Sequence, residues 1–152
     1  MNSFIQETQK HIKNVGKYLS IIIQELTQRA TSHDMSKIGD EVERTVFIEY
    51  TPKLKKTTYG SDEYKTFLKE MGKGLEHHYK GNNHHPEFYE NGIKGMNLID
   101  LAEMLCDWKA ATLRHNNGDL LKSIEINADR FGISDQLKQI FINSASIIDE
   151  VK

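Results

Sequence analysis

SFIQETQKHIKNVGKYLSIIIQELTQRA, residues 3–30, decides the fold class. Within it Ile5, Thr8, Ile12, Val15, Leu19, Ile22 and Leu26 recur at alternating spacings of three and four residues. That spacing lines one face of an α-helix, whereas a strand would scatter the same residues over both faces. A first helix over 3–30 with a core-facing stripe follows. The same habit continues outward along a chain with only two prolines, Pro52 and Pro86, and almost no period-two alternation. The expectation is an all-α protein, a single domain over 1–152 built as a bundle of about five to seven helices.

The remaining elements are placed by their caps. Ser32 can cap a short turn or helix at His33-Asp34. A second helix is expected over Gly39 to Tyr50, ending before Pro52 because the residue preceding proline disfavours α geometry. Residues 51–60 read as a polar linker. Ser61 caps a third helix with Asp62 and Glu63 in its first turn. The stripe of that helix, Tyr64, Phe67, Leu68, Met71 and Leu75, extends to His78 and leaves His77 facing solvent. Residues 80–97, with Gly81, Gly92 and Gly95, read as loops. Asn97 caps a fourth helix over 98–115, and two more follow at 119–131 and 134–150. Gly132 stops the first of these and Ser134 caps the second.

Bulk properties narrow the function classes. A chain of 152 residues that is 38% hydrophobic and 28% charged is an ordinary globular mixture. Its net charge of -2 comes from 20 basic and 22 acidic residues, well mixed. Without a basic stripe, nucleic acid is not implied as a partner. The longest apolar run, Leu19 to Ile23, is interrupted by Ser20 and far too short to span a bilayer. No secretory signal is evident at Met1 to Glu7. Cys106 stands alone, so no intrachain disulfide can form and a cytoplasmic location is expected.

The chemistry sits in clusters. His33-Asp34, with Lys37 three positions on, is followed later by His77-His78 and by His84-His85-Pro86-Glu87. Imidazoles and carboxylates gathered along one short chain are what a transition-metal site requires. Neutral imidazole suits Zn, Fe, Ni and Cu, while carboxylates extend the choice toward Mn and Mg. The candidate ligands are His11, His33, Asp34, His78, His84 and His85. A loop or helix start can aim both members of the 84–85 doublet at one centre, which a regular helix cannot easily do. His77 and His115 are expected at the surface. Lys37, ordinarily a solvated residue, is read as a phosphate contact from its offset to the His-Asp pair. Glu41 and Glu87 are candidates to support a ligand or act as a general acid. Trp108 and the tyrosines read as core and rim rather than a nucleobase platform, and Cys106 as a buried inert thiol.

The fourth helix carries a second oddity. From Leu98 to Ala111 it is apolar nearly all round, the mark of a central helix, yet Asp100, Glu103 and Asp107 interrupt it on one face. Buried carboxylates need cations, and a metal would supply one. The plainer reading pairs them with Arg29, Lys109 or Arg114, or brings them to the surface.

These residues together resemble the HD-domain superfamily of metal-dependent phosphohydrolases. The resemblance covers about residues 11–110 and implies a helical fold in which an early His, a His-Asp pair and a later Asp grip one metal. The matching positions are His11, His33, Asp34 and either Asp100 or Asp107, with Glu103 beside them in support. His33-Asp34-Met35-Ser36-Lys37 also resembles the His-Asp-x-x-Lys stretch of the HD-GYP branch. In that branch further histidines bring a second metal, and His78, His84 and His85 are the positions that match. Pro86 separates the doublet from Glu87, and Asn91-Gly92-Ile93-Lys94-Gly95 stands where Gly-Tyr-Pro would follow, which speaks against specific hydrolysis of cyclic dinucleotides. The whole chain is also similar to an uncharacterised family of short phage-type proteins. The shared stretches are Arg29 to Lys37, His84 to Glu87, and Glu103 to Trp108.

The resemblance implies hydrolysis of a nucleotide or other small phosphate ester by water activated at one or two divalent ions (Mn, Fe, Ni, Co or Zn, with Mg admitted). Asp34 would touch the metal, and Lys37 would hold the phosphate with Arg29 or Lys94. Two rival expectations are a metal-holding module that binds a nucleotide or protein without turnover, and a di-iron oxygenase of related helical fold. A homodimer is compatible with all three.

Overall fold

The computed structural model describes residues 3–114 and 118–149. The protein is all-α, and no strand occurs among the described residues. By its internal packing the chain divides into two units, Met1–His33 and Asp34–Lys152.

The first unit is the helix α1, Ser3–Ser32. Its seven-residue rhythm produced the expected helix, but the stripe is not a core face. No residue of α1 is buried, and Ile12, Leu19 and Ile22 are 63%, 54% and 42% exposed. Periodicity fixes which residues share a face; it carries no information about what covers that face.

The second unit opens with the short α2, Ser36–Gly39, and continues with α3, Glu41–Leu54, and α4, Asp62–Gly81. Two 3-10 turns, Pro86–Phe88 and Gly92–Gly95, cross the passage read as loops. The helices α5, Leu98–Thr112, α6, Leu120–Phe131, and α7, Asp135–Asp149, complete it. α3 packs on α4, and α5, α6 and α7 pack on one another. The core joins Met104, Leu105 and Trp108 of α5 to Leu120, Ile124 and Ala128 of α6 and to Phe141 and Ala145 of α7. Burial of each of the larger side chains contributes about 1.5–3 kcal/mol. Cys106, expected in that core, is exposed instead.

The expected caps at Ser61, Asn97 and Gly132 form, whereas Ser32 ends α1 and donates its hydroxyl to the Gln28 carbonyl at 3.0 Å instead of capping the next segment. The Ser61 hydroxyl accepts from the Tyr64 N–H at 3.1 Å, and Gly132 ends α6 in the left-handed region at φ 60°. Asn97 and Asp100 form a reciprocal capping box on α5. α3 departs from expectation: it runs through Pro52 to Leu54. Proline forfeits one backbone bond, the one to the Ile48 carbonyl, yet the helix continues two residues beyond it, and the Lys55 N–H bonds the Thr51 carbonyl at 3.1 Å.

Two glycines shape α4. Gly72 interrupts it with φ 48° and ψ −125°, a kink that divides the helix ahead of His77 and His78. Gly74 is buried against α3, and a Cβ there would collide with the side chain of Val46. Closeness at Gly74 and the turn at Gly72 together set the aim of the last two turns of α4.

Candidate metal centre

Asp34 begins the second unit in the left-handed conformation, φ 56°, which non-glycine residues rarely adopt and Asp tolerates better than most. Its carboxylate is held from below: Lys37 donates from Nζ to Oδ2 at 2.5 Å, one turn further on. The same Nζ lies 4.6 Å from the centre of the Phe47 ring. Oδ1 faces the other way, 3.3 Å from His78 Nε2 and 3.6 Å from His84 Nε2.

His78 comes from the C-terminal part of α4 and is 1% exposed, whereas His77, one residue earlier, has half its side chain in solvent. The helical stripe requires that split. His84 and His85 come from the extended passage after α4. Pro86 starts the following 3-10 turn with no N–H to lose, and the His85 N–H bonds back to the Asn82 carbonyl at 3.0 Å. Both rings turn inward, with His85 Nε2 3.0 Å from His78 Nε2. Asp34, His78, His84 and His85 thus each present one ligand atom within 4.8 Å of the others.

Two glutamates orient these rings. Glu43 of α3, 1% exposed, accepts from His78 Nδ1 at 2.8 Å, from His77 Nδ1 at 3.1 Å and from the Ser36 hydroxyl at 2.7 Å. Burial alone would raise its carboxyl, but the bonds from Ser36, His78 and His77 outweigh it and hold the group below the ordinary range. Glu103 of α5 stands 3.2 Å from His84 Nδ1. With each Nδ1 turned to a carboxylate, the Nε2 atoms of His78 and His84 point at Asp34. Imidazole nitrogens converging on a carboxylate oxygen in this way could hold a cation between them. Burial, with His84 and His78 alongside, pushes the His85 imidazole down to about 2, so that ring stays neutral. Three imidazoles, one carboxylate and a carboxylate behind two of the rings fit a first-row transition ion.

A model for a family of unknown function, DUF5662, matches residues 1–147. The chain belongs to that family. No curated protein and no solved structure matches it. Membership in DUF5662 brings no activity with it, so the chemistry of this member rests on its own residues.

The other sequence-derived candidates of this DUF5662 chain are placed as follows. Asp100 is fully buried but engaged elsewhere: its Oδ2 accepts from the Tyr89 hydroxyl at 2.6 Å and from the Asn97 N–H at 3.0 Å, closing the cap of α5. Asp107, half-buried, lies close enough to His85 to favour its protonated form. Glu87 pairs with Arg130 of α6 at 2.8 Å. Glu41 and Lys94 are exposed, on the first turn of α3 and on the second 3-10 turn. His11, Arg29 and His33 belong to the first unit, His11 exposed on α1 and His33 half-buried just after it. His115 lies outside the described residues.

Glu43 was not foreseen. It sits three residues after the cap residue Asp40, whose Oδ1 accepts from the Glu43 N–H at 3.0 Å, and an acid at that position reads as an ordinary first-turn residue. Only the depth of Glu43, beneath two histidines from α4, reveals its task. Asp40, Glu43 and His77 also bring ligand atoms together, but the cap of α3 and the Glu43–His77 bond account for that grouping.

Proposed function

We propose that the protein is a metal-dependent phosphohydrolase acting on a nucleotide or another small phosphate ester, with an active site akin to that of HD-domain enzymes. One observation carries the reading: Asp34, His78, His84 and His85 converge within 4.8 Å, with two of the imidazoles backed by buried glutamates. Held there, one or two divalent ions would supply Lewis acidity toward water and toward the phosphoryl oxygens.

The chain's own residues do the rest. Glu43 and Glu103 keep the Nδ1 protons of His78 and His84 in place, so both rings offer their Nε2 atoms without rearranging. Lys37 fixes the Asp34 carboxylate and adds a positive charge beside it, where a phosphate oxygen can be received. Lys37 is the residue of this set best placed to hold substrate. No helix among the described residues is long and apolar enough to cross a membrane, and with a lone cysteine the reading extends to a cytoplasmic enzyme.

Metal content by elemental analysis, followed by phosphate release over a panel of nucleotides and sugar phosphates, tests the proposal. A stoichiometric transition metal and metal-dependent release, both lost in Asp34→Ala, are expected. Metal retained with tight nucleotide binding but no release over the whole panel would replace the enzyme with a binding module. Oxygen-dependent turnover of an iron-loaded sample would replace it with an oxygenase.

A further inference from the structure

A cleft enters the second unit beside the ligand cluster, with His78, His85 and Lys37 among its lining. Its walls mix aliphatic side chains with five rings, Tyr59, Tyr64, Tyr79, Trp108 and Phe131, contributed by α4, α5, α6 and the turn before α4. Arg114 and Arg130 line the same space. This is a different composition from a residual packing void, which would be apolar throughout.

The polar groups within it are fixed in place. Arg130 lies over the rings of Tyr79, at 5.4 Å, and Phe131, at 4.5 Å, while Glu87 holds its outer edge at 2.8 Å. Asn127, 2% exposed, donates to the Tyr59 hydroxyl at 3.1 Å. Tyr79 in turn packs on His85, their ring centres 4.6 Å apart, so the aromatic wall is continuous with the ligand cluster. Burial raises the hydroxyls of Tyr64 and Tyr79 above the ordinary tyrosine range, and both remain neutral.

We infer that this cleft seats a single planar ring belonging to the substrate, with the phosphoryl end directed at His78 and His85. The substrate class is therefore a phosphate monoester carrying one aromatic ring, rather than a polyol phosphate. Size limits the occupant to no more than a single ring: the cleft holds about 120 Å³, somewhat less than an apolar cavity of about 150 Å³ that takes up benzene. Composition sets the rest, since ring faces and guanidinium planes favour a planar π-system and the basic side chains favour an anion. The inference rests on the proposed function for the identity of the reacting end only; the seat for the ring stands on the cleft itself.

Trp108 is the only tryptophan of the chain, so its emission reports occupancy of the cleft without any turnover. Metal-loaded full-length protein is titrated with phenylphosphonate and with methylphosphonate, neither of which can be hydrolysed, and affinities are read by fluorescence and calorimetry. Phenylphosphonate is expected to shift the Trp108 emission and bind at least about tenfold tighter than methylphosphonate. Arg130→Gln, checked for helicity, is expected to weaken the phenyl compound about tenfold; if that variant fails to fold, Ala111→Leu, which narrows the cleft, is expected to do the same. Equal calorimetric affinities for the two phosphonates in the unmodified protein overturn the inference whatever the variants do. Preferential binding of phenylphosphonate with no hydrolysis of phenyl phosphate keeps the ring seat and removes the phosphohydrolase. Hydrolysis without any preference for aryl esters does the reverse.

Discussion

Glu43 shows how much of the cluster depends on a residue outside the four converging ligand atoms. It takes hydrogens from Ser36, His77 and His78, and through His78 it decides which imidazole nitrogen faces Asp34. Carboxylates in this position typically matter about 10–100-fold in metal affinity. Glu43→Gln should therefore weaken metal binding by about that factor, measured by competition with a chromophoric chelator, while helicity stays unchanged. An unaltered affinity would return Glu43 to a purely structural role. The sequence announced the histidines by their doublets and Asp34 by its pairing with His33 and Lys37. Glu103 could be read as a supporting acid from its helix face, but Glu43 could not be announced as an orienting group, because its histidine partners lie on another helix. Asp100 illustrates the opposite error: an acid in an apolar helix suggested a ligand, whereas its position three residues after Asn97 marks a capping box.

At the scale of elements, helices and their caps were readable because both are local. Ser61, Asn97 and Gly132 act where hydroxyl, amide and missing Cβ predict. The end of α3 was misread, since proline disfavours but does not forbid α geometry at the residue before it and removes a single backbone bond. The approach of α3 to α4 was invisible in sequence, as it depends on Gly74 lying against Val46. Gly74→Ala should destabilise the protein by about 1–3 kcal/mol in urea unfolding, through forced separation of the two helices. Trimming the obstacle in the double variant Gly74→Ala with Val46→Ala should recover part of that loss. If the two changes simply add, the contact is not what makes Gly74 necessary.

For the whole molecule, a metal that binds only the folded chain must raise its stability by mass action. At an ion concentration of about 100 times Kd the gain is about 2.7 kcal/mol, which for a chain of this size is a rise of several degrees in Tm. Thermal unfolding with the preferred ion against excess chelator should show that rise. Asp34→Ala should melt at one temperature in both conditions. The all-α class was evident from periodicity and the near absence of proline. The division at His33 and Asp34 was not, because a regular apolar stripe looks the same whether or not anything lies on it.

The backbone at position 72 has the handedness that a right-handed amino acid prefers. Reflecting φ 48° and ψ −125° gives angles ordinary for an extended L-residue. Protein assembled by chemical ligation with D-alanine at 72 should therefore fold and chelate like the natural chain. Its L-alanine epimer, identical in every atom but for mirror symmetry at one carbon, should lose about 1–3 kcal/mol and aim His78 differently.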